Sequence, residues 1–244
     1  MTDPWGSARR VLLIHAHPDD ETLATGVLIA DLVDRGVEVG LVTASRGEQG
    51  EVVDGVLAPE EAADLSAVRE AELATAVSRL GIAWHAYLGS SAARAPGTLP
   101  RRYEDSGMRW IRPGLAGPAA DAGAESLTSA PLTEVADDIA AATTAYGADV
   151  VITYDADGGY GHPDHVRCHD ATVIACASTG VPLYVVRQEP DDRDPVVIDG
   201  AGHLERVQHA LRAHRTQLTV VGDDVVHSGG QREPIVTRLS LRRI

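Results

Sequence analysis

The chain has 244 residues, of which 44% are hydrophobic and 23% charged, an ordinary globular mixture that can bury one α/β core and that excludes a disordered chain. A formal net charge of −15 with scattered arginines excludes a nucleic-acid partner, which needs clustered Lys and Arg, and leaves a small polar molecule as the expected one. The apolar run at residues 11–14 is too short for a signal-peptide core or a membrane span, so a cytoplasmic location without membrane association is expected.

Residues 11–15 form an apolar run without polar alternation, as in a parallel strand covered on both faces. Residues 21–35 follow with Leu23, Val27, Leu28 and Leu32 at helical spacing. Residues 37–43 read as the next strand, 60–80 as a long Ala-rich helix stopped at Gly81, and 82–88 as a third strand. Across residues 89–131 Gly, Pro, Ala and Ser dominate and periodicity fails. A connection of that length is uncommon unless functional, and it is expected to be an irregular active-site flap.

Regularity returns with a helix over 132–146, a strand over 149–153, a helix over about 163–178, a strand over 182–187 and a helix over 203–214. Residues 219–244 read as short strands or extended chain, a variable C-terminal segment. The alternation predicts an α/β fold: a doubly wound, mainly parallel Rossmann-like sheet with helices on both faces, one domain spanning residues 1–244. Cys168 and Cys176 fall in one helix, roughly 12 Å apart along its axis, and are not expected to pair. Such sheets bind ligands beyond the carboxyl ends of their strands, so the loops after Ile14, Thr43, Leu88 and Tyr154 should converge on one cleft.

Two of those loops carry unusual chemistry. In Ala16-His17-Pro18-Asp19-Asp20-Glu21, a helix start alone accounts for Pro18, Asp19 and Glu21, because proline suits the first helical position and carboxylates suit the first turn. It does not account for His17, which lies three residues before Asp20 and can face the same point, as two metal ligands must. Tyr160-Gly161-His162-Pro163-Asp164-His165 repeats the device, with proline at a helix start and two imidazoles three residues apart. Two ligands from the first loop and one from the second complete a three-ligand catalytic zinc site that keeps a position for water; a two-His, one-carboxylate set also suits Fe2+.

The paired His17-Pro18-Asp19-Asp20-Glu21 and His162-Pro163-Asp164-His165 runs, in this order and on these elements, resemble the LmbE/PIG-L deacetylases, which remove acetyl groups from N-acetylglucosamine-containing compounds. The resemblance runs from Val11 to about Leu218. Within that family, Arg46-Gly47-Glu48-Gln49-Gly50-Glu51-Val52, Arg69-Glu70-Ala71-Glu72-Leu73 and Asp105-Ser106-Gly107-Met108 are similar to the actinobacterial N-acetylglucosaminyl-inositol deacetylases of mycothiol biosynthesis.

The resemblance implies a Zn2+ ion, with Fe2+ as the alternative, held by His17, Asp20 and His165, and Asp19 as general base. It further implies Tyr160 and His162 as oxyanion donors and Arg69 and Asp105 as sugar contacts. Residue chemistry agrees for Asp19, which neighbours a ligand without sharing its face and can take a proton from water acidified by the ion. Asp164, two residues from His162, can orient or charge that ring, although a helix-start carboxylate also explains it. Arg69 lies beside Glu70 and Glu72, where an exposed arginine is equally ordinary. Glu48 and Glu51 are expected to be solvated, and His15 to pack or hydrogen-bond within its strand.

The expected activity is hydrolysis of the N-acetyl amide of a small amino-sugar conjugate, giving a free amine and acetate. Its alternatives are an amidase of mycothiol-type conjugates and a noncatalytic sugar- or nucleotide-binding module. The nucleotide alternative conflicts with the first turn, where residues 16–21 present carboxylates in place of the glycines that let a pyrophosphate approach.

Overall fold

A computed structural model describes residues 8–120, 122–187 and 189–244. The apolar runs become strands whose side chains part to two faces. In β1 (Arg10–His15), Val11 and Leu13 enter one core while Leu12 and Ile14 enter the other. Helix α1 (Asp20–Asp34), strand β2 (Glu38–Thr43), helix α2 (Leu65–Leu80) and strand β3 (Trp84–Tyr87) follow, α2 ending on Gly81 at φ 85°, a left-handed cap that favours glycine. A hairpin of β4 (Met108–Arg112) and β5 (Leu115–Pro118) interrupts the long connection that leads to α3 (Leu132–Tyr146).

Next come β6 (Val150–Tyr154), a short irregular turn α4 (Gly158–Gly161), α5 (Pro163–Thr179) and β7 (Leu183–Arg187). The chain closes through β8 (Val196–Asp199), α6 (Leu204–Leu211), β9 (Leu218–Val221), β10 (Asp224–His227), β11 (Arg232–Pro234) and β12 (Arg238–Arg243).

The main sheet has seven strands in the order β3-β2-β1-β6-β7-β12-β8. The first five are parallel, as the alternating pattern predicts, and β12 runs antiparallel between β7 and β8. Two features add to the sequence reading. Residues 196–199, to which the sequence assigns no element, form β8, and the tail, read as short strands or extended chain, returns through β12, whose Leu239 and Leu241 are fully buried. Strands β9 to β11 make a separate three-stranded antiparallel sheet. Helices α1, α2 and α6 cover one face and α3 and α5 the other, each contributing apolar residues to its own core. Cys168 and Cys176 are buried in α5 and unpaired. Among the described residues no helix is long and apolar enough to cross a membrane.

Strand succession runs outward from β1 through β2 to β3 in one direction, and from β6 to β7 in the other. The reversal falls between β1 and β6, which pair directly with Leu13 opposite Ile152. A crevice opens at such a switch point, and the two His-Pro-Asp loops leave the carboxyl ends of the two strands that flank it.

Candidate active site

The second loop starts α5 by ordinary means. His162 is extended at φ −61° and ψ 127°, its Nδ1 accepts the Asp164 backbone N–H at 3.2 Å, and Pro163 occupies the first turn. Asp19 begins α1 differently: its φ of 100° is the only positive value at a non-glycine among the described residues, and its side chain does not cap the helix. Gly158, at φ 62°, lies where a Cβ would stand 2.9 Å from the Cβ of His165, so both its conformation and this close approach require glycine.

The loops bring His17, Asp20 and His165 together. Asp20 Oδ2 is 3.2 Å from His17 Nδ1 and 3.3 Å from His165 Nε2, and all three side chains are buried. Asp20 Oδ2 also accepts from the Tyr154 hydroxyl at 2.7 Å and from the His17 backbone N–H at 2.9 Å. The Tyr154 ring stacks on His165 at 4.1 Å between centroids. The nitrogens of His17, His162 and His165 lie within 4.8 Å of one another, as do the candidate donor atoms of His17, Asp105 and Asp164.

His165 provides the sharpest test of whether this set suits a cation. Its Nδ1 lies 3.2 Å from the Gly158 carbonyl, which can only accept, so the proton of the neutral ring sits on Nδ1. Its Nε2 then presents a lone pair without a hydrogen-bond partner toward the Asp20 carboxylate. Two electron pairs face one another across that gap unless a proton or a metal cation lies between them, and a backbone carbonyl on the far nitrogen is the usual support of a metal-binding imidazole. Burial opposes a charge on His17, yet Asp105, Asp164 and Asp20 hold its imidazole well above the usual range. Burial acts to raise the Asp20 carboxyl, but His165 and His17 hold it well below its usual range. The residues present therefore fit a divalent cation with mixed nitrogen and oxygen ligands.

The remaining sequence-predicted residues fall at different distances from this centre. Asp19 is partly buried, its carboxylate accepts no hydrogen bond among the described residues, and burial followed by the neighbouring Asp20 pushes it up to about 7. His162 keeps Nε2 for its proton because Nδ1 accepts, and burial with the flanking His17 and His165 rings pushes it down, so it stays a neutral donor. Tyr160 is 40% exposed, with its ring 5.4 Å from His165 and 6.0 Å from His162; burial of its hydroxyl and nearby Asp20 keep the phenol protonated.

Asp164 touches His162 only through its backbone; its carboxylate meets His17 Nε2 at 3.1 Å and the Ser106 N–H at 2.9 Å, so the ring it orients is that of His17. Asp105 arrives from the 89–131 segment and places Oδ1 3.5 Å from His17 Nε2. Arg69 is 1% exposed, and its guanidinium donates to the carbonyls of Gly47, Gly50 and Glu51, which shapes the loop after β2. Glu48, expected to be solvated, accepts the Asp105 N–H at 3.0 Å and pairs with Arg102 at 3.0 Å. His15 bonds Thr25 within the fold at 2.9 Å, as expected of a strand histidine. Tyr154 and the buried Glu21–His214 pair carry no spacing signal that marks them in advance.

A family model described as PIG-L: GlcNAc-PI de-N-acetylase matches residues 12–176. A 1D-myo-inositol 2-acetamido-2-deoxy-alpha-D-glucopyranoside deacetylase of Kineococcus radiotolerans is 38% identical, the match covering 89% of this chain and 71% of that protein. A protein of the same description from Mycobacteroides abscessus is 36% identical over 89% of this chain and 84% of its own. Among solved structures, the N,N'-diacetylchitobiose deacetylase of Pyrococcus horikoshii shares the fold with a TM-score of 0.62 at 23% identity, covering 88% of this chain and 72% of that one.

Proposed function

Because the chain belongs to the PIG-L family of GlcNAc-PI de-N-acetylase type, we propose that it hydrolyses the N-acetyl amide of an N-acetylglucosamine-containing small molecule, releasing a free amine and acetate. The observation that carries the reading is the His17, Asp20 and His165 cluster at the switch point, with His165 Nε2 buried, without a hydrogen-bond partner and aimed at a carboxylate. These three residues hold the ion, Zn2+ or Fe2+, which when bound polarises the amide carbonyl and makes water acidic.

The other roles belong to the chain's own side chains. The carboxylate of Asp19, unengaged by any hydrogen bond, takes the proton of the attacking water and returns it to the leaving amine. Neutral His162 offers Nε2–H, and Tyr160 its hydroxyl, to the oxygen that gains charge as the carbonyl becomes tetrahedral. Asp164 and Asp105 orient His17, and Asp105 is also the residue assigned to a sugar hydroxyl. Arg69 acts on substrate through the loop whose carbonyls it binds.

The chain is read as one deacetylase domain that works in the cytoplasm, with 89–131 as its flap and 219–244 as the variable segment. Asp105 and Ser106 support the flap assignment, since from that connection the first reaches His17 and the second donates its N–H to the Asp164 carboxylate. The inositol-linked amino sugars in the names of the relatives at 36–38% identity support an inosityl N-acetylglucosaminide as the first substrate to try.

Amine release from a panel holding that conjugate, diacetylchitobiose and N-acetylglucosamine tests the reading, before chelation, after it, and after zinc restoration. Release abolished by chelation and restored by metal is the expected result. No release from any of them, with metal verified in the protein, would overturn it.

A further inference from the structure

Glu21 ends the first motif, yet none of the roles above uses it. Its carboxylate is fully buried behind the loop. One oxygen accepts the backbone N–H of Asp19 at 3.0 Å; the other accepts the Thr22 hydroxyl and His214 Nε2, the latter at 2.9 Å. His214 comes from beyond the end of α6, 193 residues along the chain, and is itself 0% exposed. Gln217 lies 3.3 Å from its Nδ1, which with donation by the amide leaves the ring proton on Nε2 to face Glu21. The 214–217 turn is tied to α2 by Thr216, whose N–H and hydroxyl donate to Glu72 at 3.1 Å and 2.6 Å. A sealed carboxylate and imidazole are costly to bury unless each completes the other, and this pair sits directly behind the one non-glycine residue with positive φ among the described residues.

That residue is Asp19. An Asp at a helix start ordinarily folds back to accept the amides of the first turn, which occupies its carboxylate. Asp19 does not: its φ of 100° and ψ of −33° leave the helix uncapped by its side chain. Its peptide is held on both sides, by Glu21 at its N–H and by the Thr22 and Leu23 amides, which donate to its carbonyl at 3.0 Å and 2.8 Å. Strained backbone persists where the surroundings over-determine it. We propose that the buried Glu21–His214 pair is a positioning device that holds the Asp19 peptide in its left-handed turn, keeping the carboxylate off the helix end and free to exchange protons with water. His214 orients and completes Glu21, and Glu21 grips the Asp19 N–H. The inference rests on Asp19 being the base.

The test uses the full chain with its metal and compares Glu21→Ala, Glu21→Gln, His214→Ala and His214→Gln with Asp19→Asn. Glu21→Ala and His214→Ala should lower kcat by roughly ten- to a hundredfold with KM within about twofold and metal content unchanged. Glu21→Gln retains a carbonyl for the Asp19 N–H and should recover most of kcat, and His214→Gln should fall between. A crystal structure of Glu21→Ala should show residue 19 relaxed to negative φ with its carboxylate on the helix amides. If Glu21→Ala or His214→Ala does not fold, the two glutamine variants carry the comparison through their order of kcat and the φ of residue 19 in His214→Gln. Wild-type kcat in every Glu21 and His214 variant that folds, or a φ unchanged from wild type in the variant crystallised, would overturn the positioning role. An active Asp19→Asn would instead remove the base assignment on which it rests.

Discussion

The two His-Pro-Asp loops start helices from neighbouring strands, and the aspartates at their third positions have opposite fates. Asp164 sits at ordinary helical backbone angles, wholly buried, with its carboxylate bonded to His17 and to the Ser106 amide. Asp19 sits at φ 100°, only partly buried, with its carboxylate engaged by nothing among the described residues. The same short motif thus yields a relaxed scaffold in one loop and a strained, unengaged carboxylate in the other. Side-chain identity and spacing specify that a helix begins; the backbone angle decides whether the carboxylate serves the helix or is left available for chemistry.

The most severe break in that comparison removes a residue the two loops share around one centre. His165→Ala takes away the unbonded imidazole facing Asp20, so metal and activity should be lost together, activity by roughly a thousandfold or more. Elemental analysis of the purified protein checks the first and amine release the second; full metal occupancy in this variant would remove His165 from the coordination set.

Exchanging the paired aspartates one at a time separates their roles with a smaller effect. Asp19→Asn should cut kcat by roughly a hundredfold or more and leave metal content near wild type, since a base is lost but no ligand is. Asp164→Asn should weaken metal binding by about ten- to a hundredfold, measured by competition with a chelator, because the group that orients His17 is altered. Metal loss from Asp19→Asn at the level of His165→Ala would contradict this division.

What the sequence made legible follows the same contrast. The parallel half of the sheet was readable because each strand is an uninterrupted apolar run and each helix keeps its periodicity, and the cluster was readable because both loops follow such strands. Strand β8 escaped because four residues between Pro195 and Gly200 carry too little pattern. The β4–β5 hairpin escaped because Trp110 and Ile111 are exposed on consecutive positions, which breaks the alternation of a half-buried strand. Arg69 resembled a surface residue beside Glu70 and Glu72, yet its guanidinium is enclosed by the carbonyls of Gly47, Gly50 and Glu51. The Glu21–His214 contact spans 193 residues, and no local spacing announces a partner that distant.

The strand that feeds the first loop offers a pH test of how deeply that side of the comparison is sealed. His15 is buried, with Nδ1 unpartnered, and burial pushes its imidazole down to about 4. The unfolded chain takes up that proton near 6.5 while the fold resists it to about 4, so the contribution is present above the unfolded value and declines as pH falls through this window. Between about pH 7 and pH 5 the loss should be about 2 kcal/mol, read from urea unfolding of metal-free protein. His15→Gln, which cannot titrate, should lack that part of the slope; an unchanged slope would assign the acid sensitivity to other groups.

The smallest effect is the most discriminating, because it asks the two third-position aspartates the same structural question. Glycine tolerates φ 100° without a Cβ clash, so Asp19→Gly should raise the stability of the metal-free protein by about 1 kcal/mol despite glycine's greater freedom in the unfolded chain. Removing a carboxyl that burial and Asp20 push up to about 7 acts in the same direction at neutral pH, since the fold disfavours its charged form. Asp164→Gly places glycine at relaxed helical angles and deletes two buried hydrogen bonds, so it should lower stability by about 2 kcal/mol. Opposite signs in urea unfolding would establish that the first loop holds its carboxylate at the expense of stability while the second is stabilised by its own. Equal losses at both positions would mean that the Asp19 turn is not strained, and the difference between the loops would then reside in their side chains alone.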